Sequence, residues 1–235
     1  MQRRDFLSAI GLGATAALVE ACNSSGPASA RSLLEFASRK NETLERWLLR
    51  PSSRDRLAAG TPLSGDAFPK YFVSDEVPRW DPAVRGVWSL EVTGAVKRSV
   101  RLTLEDLRGL RTTTQRVHHY CVEGWTAYAE WTGVRFSDLA RVVEPLPDAG
   151  YVDFQSFDSG YHESWDIESA MHPQTLIAYA MDGRYLGAGH GAPARVHSPV
   201  KLGYKNTKYL TRVVFMPARN GGYWTDRGYE WYGGV

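Results

Sequence analysis

The densest chemistry in the chain lies in His118-His119-Tyr120-Cys121-Val122-Glu123-Gly124-Trp125, where a thiol, two imidazoles and a carboxylate share one short segment. Three uses compete for Cys121. A nucleophile needs a base aimed at its thiol. A histidine two or three residues away on the same strand does not point at the cysteine easily, and no oxyanion loop is evident. A zinc site needs three or four protein ligands, and the chain has neither a CxxC nor an HxxxH pattern. A single thiolate is enough where it holds a soft metal whose other ligands come with a cofactor. The alternative to all three is a buried structural cysteine.

A second group of residues adds weight to the cofactor use. His190-Gly191-Ala192-Pro193-Ala194-Arg195 precedes Pro199-Val200-Lys201-Leu202-Gly203-Tyr204-Lys205-Asn206-Thr207-Lys208-Tyr209-Leu210. Arg195, Lys201, Lys205 and Lys208 thus fall close together, interleaved with Gly, Asn and Thr. Glycines let backbone N–H groups approach an anion, and arginine and lysine neutralise it. A solvated basic loop would carry the same charges, but this one is too rich in glycine, proline and aromatics for a plain charged surface.

Strands and short helices must bring these groups together. Trp88, Leu90 and Val92 alternate with polar residues, Gly94 turns the chain, and Val100, Leu102 and Leu104 alternate again, which predicts a hairpin. Thr103 and Asp106 make a capping box for a short helix around Leu107. Thr112 to Tyr120 is rich in β-branched residues and reads as a strand running into Cys121. Phe136 to Val143 reads as a short helix. Further strands are expected at Tyr151 to Phe157, Thr175 to Met181, where Asp182-Gly183 turns the chain, and Leu210 to Met216. Ahead of them, Leu33, Phe36, Ala37, Leu44, Trp47 and Leu48 suit one or two amphipathic helices between Arg31 and Arg50, with Asn41 as N-cap of the second. Pro51 to Gly65 reads as a surface connection. The sum is an α+β class: a strand-rich mixed-sheet domain with short helices and long functional loops.

Composition narrows the function. With 43% hydrophobic and 23% charged residues, wholesale disorder is excluded. Lys+Arg number 28 against 26 Asp+Glu, and a net charge of +2 gives no electrostatic case for nucleic acid. Two cysteines, Cys22 and Cys121, cannot make a disulfide scaffold.

The N-terminus reads as an address. Arg3-Arg4 is followed by an apolar run from Phe6 to Val19, too short to span a bilayer comfortably, as in a cleaved signal. Gln2-Arg3-Arg4-Asp5-Phe6-Leu7 resembles a twin-arginine export signal, whose route carries folded, cofactor-loaded proteins. Leu18-Val19-Glu20-Ala21-Cys22 resembles a bacterial lipobox, although Glu20 is unusual within one. The expected organisation is a signal peptide over 1–21, a flexible tether over 22–30, a helical extension over 31–66 and an oxidoreductase domain over 67–235. A periplasmic protein anchored to the membrane through a lipid on Cys22 is expected, with a cleaved, free periplasmic protein as the alternative.

Cys121-Val122-Glu123-Gly124-Trp125, Met171-His172-Pro173-Gln174-Thr175, His190 to Arg195 and Lys201 to Lys208, in this order, resemble the molybdopterin-binding domain of the sulfite oxidase superfamily. The resemblance runs roughly from Phe68 to Tyr232 and is nearest to the periplasmic protein-methionine-sulfoxide reductase branch. It implies the sulfite oxidase molybdopterin-binding fold and a molybdenum–molybdopterin cofactor with Cys121 as the protein's metal ligand. Ser156, His190, Arg195, Lys205, Asn206, Thr207 and Lys208 match pterin-contacting positions. Ser156 stands where members near the reductase have Thr, and His190 where they have Asn. Asp75 and Glu76 belong to Tyr71–Glu76, which occupies the place of another pterin-contacting loop. The dimerisation and haem domains of sulfite oxidase have no counterpart in these residues, so electrons are expected from a membrane haem protein or a c-type cytochrome.

Glu123 bears on the direction of the chemistry. In an extended segment residues i and i+2 share a face, so its carboxylate could point toward the open side of the metal. There it would repel sulfite and could supply a proton to a departing oxygen. That favours reduction of neutral oxides such as sulfoxides, small or protein-bound, with Cys121 and Glu123 as the catalytic pair and His118 or His119 as lesser helpers. A structural pairing of Glu123 with Arg116 is the alternative for that residue. For the protein as a whole, the alternatives are a sulfite dehydrogenase and a non-catalytic lipoprotein binding module.

Overall fold

The computed structural model describes residues 28–48 and 67–235 apart from Ser159. The export signal, the lipobox with Cys22, residues 23–27 of the tether and the connection over 51–65 lie outside the described residues. The chain divides into two units, one ending at Leu48 and one running from Leu49 to Val235.

The described part of the first unit is a single helix, Ala28–Leu48. It begins inside the segment expected as tether and runs through Asn41, which is therefore not an N-cap. The Asn41 side chain donates to Glu45 one turn on, at 2.9 Å, a contact that an unbroken helix provides. Leu33, Phe36, Leu44, Trp47 and Leu48 are exposed. No helix among the described residues is long and apolar enough to cross a membrane.

Two sheets build the second unit. The first orders β1 (Ser89–Gly94), β2 (Val100–Thr103), β5 (Tyr151–Ser156), β6 (His162–Asp166) and β10 (Leu210–Met216) as β2-β1-β10-β5-β6. Its β1–β10 pair is parallel and the rest antiparallel, a mixed sheet. The second orders β3 (Thr112–Tyr120), β4 (Thr126–Arg135), β7 (Leu176–Met181) and β8 (Arg184–Tyr185), with β9 (Arg195–His197) on the other edge of β7. Helix Phe136–Val143 buries Phe136, Leu139, Ala140 and Val143, an i, i+3, i+4, i+7 stripe, into the core with Val92, Phe154, Val213 and Phe215. The second sheet is covered on both faces. Ile177 and Tyr179 of β7 join that core, whereas Leu176 and Ala178 join a smaller one with Phe68, Val117 and Trp131.

The expected hairpin, the Thr103–Asp106 capping box, β3, helix Phe136–Val143, β5, β7 and β10 all form. The sequence reading did not anticipate β4, β6 and β9. β4 packs Ala127 and Ala129 inward, small residues with little strand preference, and its β-branched Thr126, Thr132 and Val134 are scattered rather than clustered. β6 reads His-Glu-Ser-Trp-Asp and buries Glu163, Ser164 and Asp166, reversing the usual pattern.

Those buried charges have partners. Lys205 Nζ donates to Glu163 Oε2 at 2.6 Å and Lys201 Nζ to Asp166 Oδ1 at 2.9 Å, with the four side chains essentially solvent-free. Burial pulls the ammonium of Lys201 down to about 8 and lowers that of Lys205, while the carboxylates work against it. Lys201 also donates to the Tyr232 carbonyl at 2.6 Å, and Trp165 Nε1 to the Lys205 carbonyl at 2.9 Å. The basic loop is thereby stapled to the edge of the first sheet. Removing one partner of a buried pair leaves an uncompensated charge, so Lys205→Met should destabilise the protein by roughly 3–5 kcal/mol. Urea unfolding checks this; an unchanged midpoint would show that the pair does not hold the loop.

Candidate active site

Cys121 follows β3 directly and opens the turn into β4. Its N–H donates to the Trp125 carbonyl at 3.0 Å and its carbonyl accepts from Gly124 N–H at 3.0 Å. Gly124 sits at φ +89°, a conformation that side chains resist, so the turn that presents the thiol requires glycine there. Cys121 is half-buried, and burial pushes its thiol above the ordinary value.

A cavity of about 360 Å³ opens beside this turn. Of the residues singled out from sequence, it brings together Cys121, Glu123, Ser156, His190, Arg195, Asn206 and Lys208. Asp75 and Glu76 are exposed and do not line it; their loop enters it through Tyr71, Phe72 and Val73. Lys205 and Thr207 are buried outside it, the Lys205 ammonium being spent on Glu163.

The cations that do reach the cavity differ from the two lysines in the staple. Arg195, buried on β9, donates to the carbonyls of His190 at 3.1 Å and Asn206 at 3.2 Å, and lies over the Trp131 ring at 5.0 Å. Lys208 donates to the Gly189 carbonyl at 3.0 Å. Neither forms an ion pair among the described residues. Burial brings Arg195 down to about 10, and burial together with the Arg195 charge brings Lys208 down to about 7. Asn206 spends both ends of its amide on the loop, accepting from Ser198 N–H at 2.7 Å and donating to the Lys201 and Leu202 carbonyls at 3.0 Å. Ser156 Oγ accepts from Asp158 N–H at 2.9 Å.

Glu123 is not paired with Arg116. Its Oε2 accepts from Tyr71 OH at 3.0 Å and Trp125 Nε1 at 3.1 Å, and lies 3.9 Å from Cys121 Sγ. The β3 alternation separates the two histidines. His119 turns inward to the cavity, where burial drives it down to about 3 and keeps it neutral. His118 packs against Tyr120 and Tyr128. Sequence reasoning passed over Tyr71, Trp125, Asp158, Tyr161 and Tyr209. Tyr71, Trp125 and Tyr209 fall within segments that drew attention for their charged neighbours, whereas Asp158 and Tyr161 fall in none.

A thiol, an adjacent carboxylate, a buried arginine and a half-buried lysine, the two cations without ion-pair partners among the described residues, surround one cavity carried by two packed sheets, an arrangement suited to an anionic ligand. The family described as "Oxidoreductase molybdopterin binding domain" matches residues 75–224, and the chain belongs to it, an oxidoreductase of the sulfite oxidase superfamily. It is 37% identical, over 99% of its length and 87% of the other, to the Azospira oryzae protein named "Putative protein-methionine-sulfoxide reductase subunit YedZ1". It is 33% identical to the protein-methionine-sulfoxide reductase catalytic subunit MsrP of Ralstonia nicotianae, over 55% of this chain and 44% of that protein. For the same subunit of Xanthomonas campestris the figures are 30%, 62% and 50%. The match thus spans about half the length of either catalytic subunit. The crystal structure of the sulfane dehydrogenase SoxCD from Paracoccus pantotrophus shares the fold, with a TM-score of 0.53 at 22% identity over 56% of this chain and 38% of that one.

The residues present fit a molybdopterin-type cofactor. Burial lowers both Arg195 and Lys208, and neither has an ion-pair partner among the described residues; the Asp158 carboxylate that acts on Lys208 is itself hydrogen-bonded to Val73 and Ser74. Tyr209 OH, at the cavity wall, is buried with no hydrogen-bond partner among the described residues. Gly191, at φ +99°, lets its loop close on Lys208; a Cβ there would meet the lysine side chain at 2.8 Å.

The depressed Lys208 has a measurable consequence in the cofactor-free protein. Its ammonium stays charged to about 10.5 when unfolded but only to about 7 when folded. In that window the unfolded chain binds more protons, so stability rises with pH. Lys201, at about 8, adds to the rise above that value. Urea unfolding at pH 6.5 and 9.5 should show greater stability at the higher pH, and Lys208→Met should flatten the difference. A wild type that loses stability over this range would contradict the assignment.

Proposed function

We propose that the protein is the catalytic subunit of an exported molybdenum–molybdopterin enzyme that reduces sulfoxides or related oxides, drawing electrons from a separate membrane haem protein or c-type cytochrome. The observation that carries this reading is the Glu123 carboxylate fixed 3.9 Å from the Cys121 sulfur inside the cavity. A carboxylate beside the reacting centre repels an anion such as sulfite and tolerates a neutral sulfoxide. The names of the relatives support the substrate class, and their description as subunits supports a separate partner.

Bound in this cavity, the cofactor supplies the exchange of an oxygen atom for two electrons. Cys121 Sγ is the soft ligand suited to its metal. Arg195 and Lys208 would hold its phosphate, with His190, Ser156 and Asn206 completing the wall. Glu123 would hold one of the two protons that a departing oxygen needs in order to leave as water, the other coming from solvent. Trp125, Tyr204 and Trp224 restrict water at the cavity walls.

With a reduced dye as donor, the purified enzyme should reduce sulfoxides and oxidise sulfite poorly. Cys121→Ser should lose molybdenum, because an alkoxide is a harder and scarcer ligand at neutral pH. Glu123→Gln should keep its molybdenum and lose turnover by roughly 10²–10⁴. Rapid sulfite oxidation with cytochrome c, and none of the sulfoxide activity, would establish the sulfite dehydrogenase alternative instead.

For location, we propose periplasmic export by the twin-arginine route with a lipid anchor at Cys22. A lipoprotein's several acyl chains bind at about 0.8 kcal/mol per buried CH₂. Fractionation should find the wild type in the membrane and Cys22→Ala in the soluble periplasm. A wild type already soluble there would remove the anchor.

A further inference from the structure

We infer that Tyr71 is a positioning and specificity-determining residue: its hydroxyl sets Glu123 beside the thiol, and its ring, with Trp125, forms the lip that receives the substrate's apolar arm. The inference rests on the sulfoxide-reductase reading above and assigns it a substrate class, neutral sulfoxides with a flexible alkyl or alkylthio arm.

The positioning half follows from two donors on one oxygen. Tyr71 OH and Trp125 Nε1 reach Glu123 Oε2 at 3.0 and 3.1 Å, and that oxygen lies 3.9 Å from Cys121 Sγ. Glu123 itself is exposed, and an exposed glutamate samples many rotamers unless something holds it. Trp125 is two residues away in the same turn, whereas Tyr71 comes from a distant segment. Tyr71 therefore ties Glu123 to a second part of the fold.

That segment is itself anchored to the cavity. The buried carboxylate of Asp158 accepts from Val73 N–H at 3.0 Å, from Ser74 N–H at 3.2 Å and from Ser74 Oγ, while Asp158 N–H donates to Ser156 Oγ. Tyr71 is thus held two residues from a fixed point at the cavity wall.

The lip follows from exposure. The Tyr71 and Trp125 rings stack at 6.2 Å with 19° between their planes, yet 56% of Tyr71 is exposed at the cavity edge. A ring fixed in place but left uncovered is pre-organised contact area. Sulfur and the groups attached to it pack favourably against aromatic rings, and a neutral arm does not meet the Glu123 charge.

The two halves separate by substitution. Tyr71→Phe keeps the ring and loses the bond to Glu123. In the loaded enzyme it should lower kcat for a dialkyl sulfoxide about tenfold, the scale of one hydrogen bond to a charged group, with KM unchanged. Tyr71→Ala should lower kcat similarly and raise KM several-fold as well. A readout independent of turnover uses the full-length chain made without cofactor in a Cys22→Ala background, where Cys121 is the sole thiol. There iodoacetamide should alkylate Cys121 several-fold faster in Tyr71→Ala than in either wild type or Tyr71→Phe. Wild-type kcat in Tyr71→Phe overturns the positioning role. Equal KM in all three proteins, or unchanged alkylation in Tyr71→Ala, overturns the lip. If the wild type reduces no sulfoxide, the proposed function falls, and the alkylation rates alone still decide whether Tyr71 covers the thiol.

Discussion

Two ammonium groups without solvent exposure place the loop from which much of the cavity is built. Lys201 and Lys205 are four residues apart, and their partners Asp166 and Glu163 both lie on β6, so the loop is fixed at two points on one strand. Between and beyond them the ties pass to β9. Asn206 receives Ser198 N–H through its side chain, and Val196 N–H donates to the Thr207 carbonyl at 2.9 Å. Arg195, on β9, then reaches the Asn206 carbonyl. The first sheet therefore sets the loop, and the loop helps to set the arginine of the second sheet. A buried pair contributes little net stability over an apolar substitute of similar shape, yet breaking it costs several kcal/mol. Its value here is register: two charges must meet two charges, and few loop conformations satisfy both.

Four cations close together in sequence thus do two kinds of work, divided by what each meets. Lys201 and Lys205 face carboxylates and are neutralised within the protein. Arg195 and Lys208 face carbonyl oxygens, which solvate a cation but do not cancel its charge. Holding two desolvated positive charges near each other is unfavourable in the empty protein, as the lowered Lys208 shows. An anion bound between them relieves both the desolvation and the repulsion. Under the proposed assignment, the folding cost of the site becomes affinity for the cofactor's phosphate.

The legible part of the fold was the part whose residues keep a period. β3, β10 and helix Phe136–Val143 follow apolar or β-branched patterns, and their bounds match the expectation. β6 was illegible because three of its four buried positions, Glu163, Ser164 and Asp166, are polar, and the two carboxylates are made acceptable by the lysines of a later loop. The same blindness affected the site. Motif position put Lys205 with Lys208, and nothing local distinguishes them; the difference is whether a β6 carboxylate lies across from the ammonium. Asp75 and Glu76 had the charge that draws attention, while the loop acts through the phenol and rings just before them. Asp158, which pins that loop, carries no motif, because its ligands are backbone N–H groups remote in sequence.

Charge is distributed unevenly over the one cavity, and the unevenness orders the chemistry. The cations lie on β9 and the loop following it, among groups that pterin and phosphate would cover. The carboxylate lies on the turn that presents the thiol, with two hydrogen-bond donors fixing the oxygen nearest the sulfur. In the proposed arrangement an anion neutralises Arg195 and Lys208, the Asp158 carboxylate is occupied by the N–H groups of Val73 and Ser74, and Glu123 is the carboxylate beside the thiol that meets an incoming substrate. An anionic substrate then approaches against that charge. A neutral oxide approaches without penalty and finds aromatic surface for its carbon and sulfur, with a proton-carrying group beside the position its oxygen must leave. If Arg195 and Lys208 hold the cofactor as proposed, cofactor retention and substrate discrimination share one electrostatic arrangement, with Glu123 at the opening.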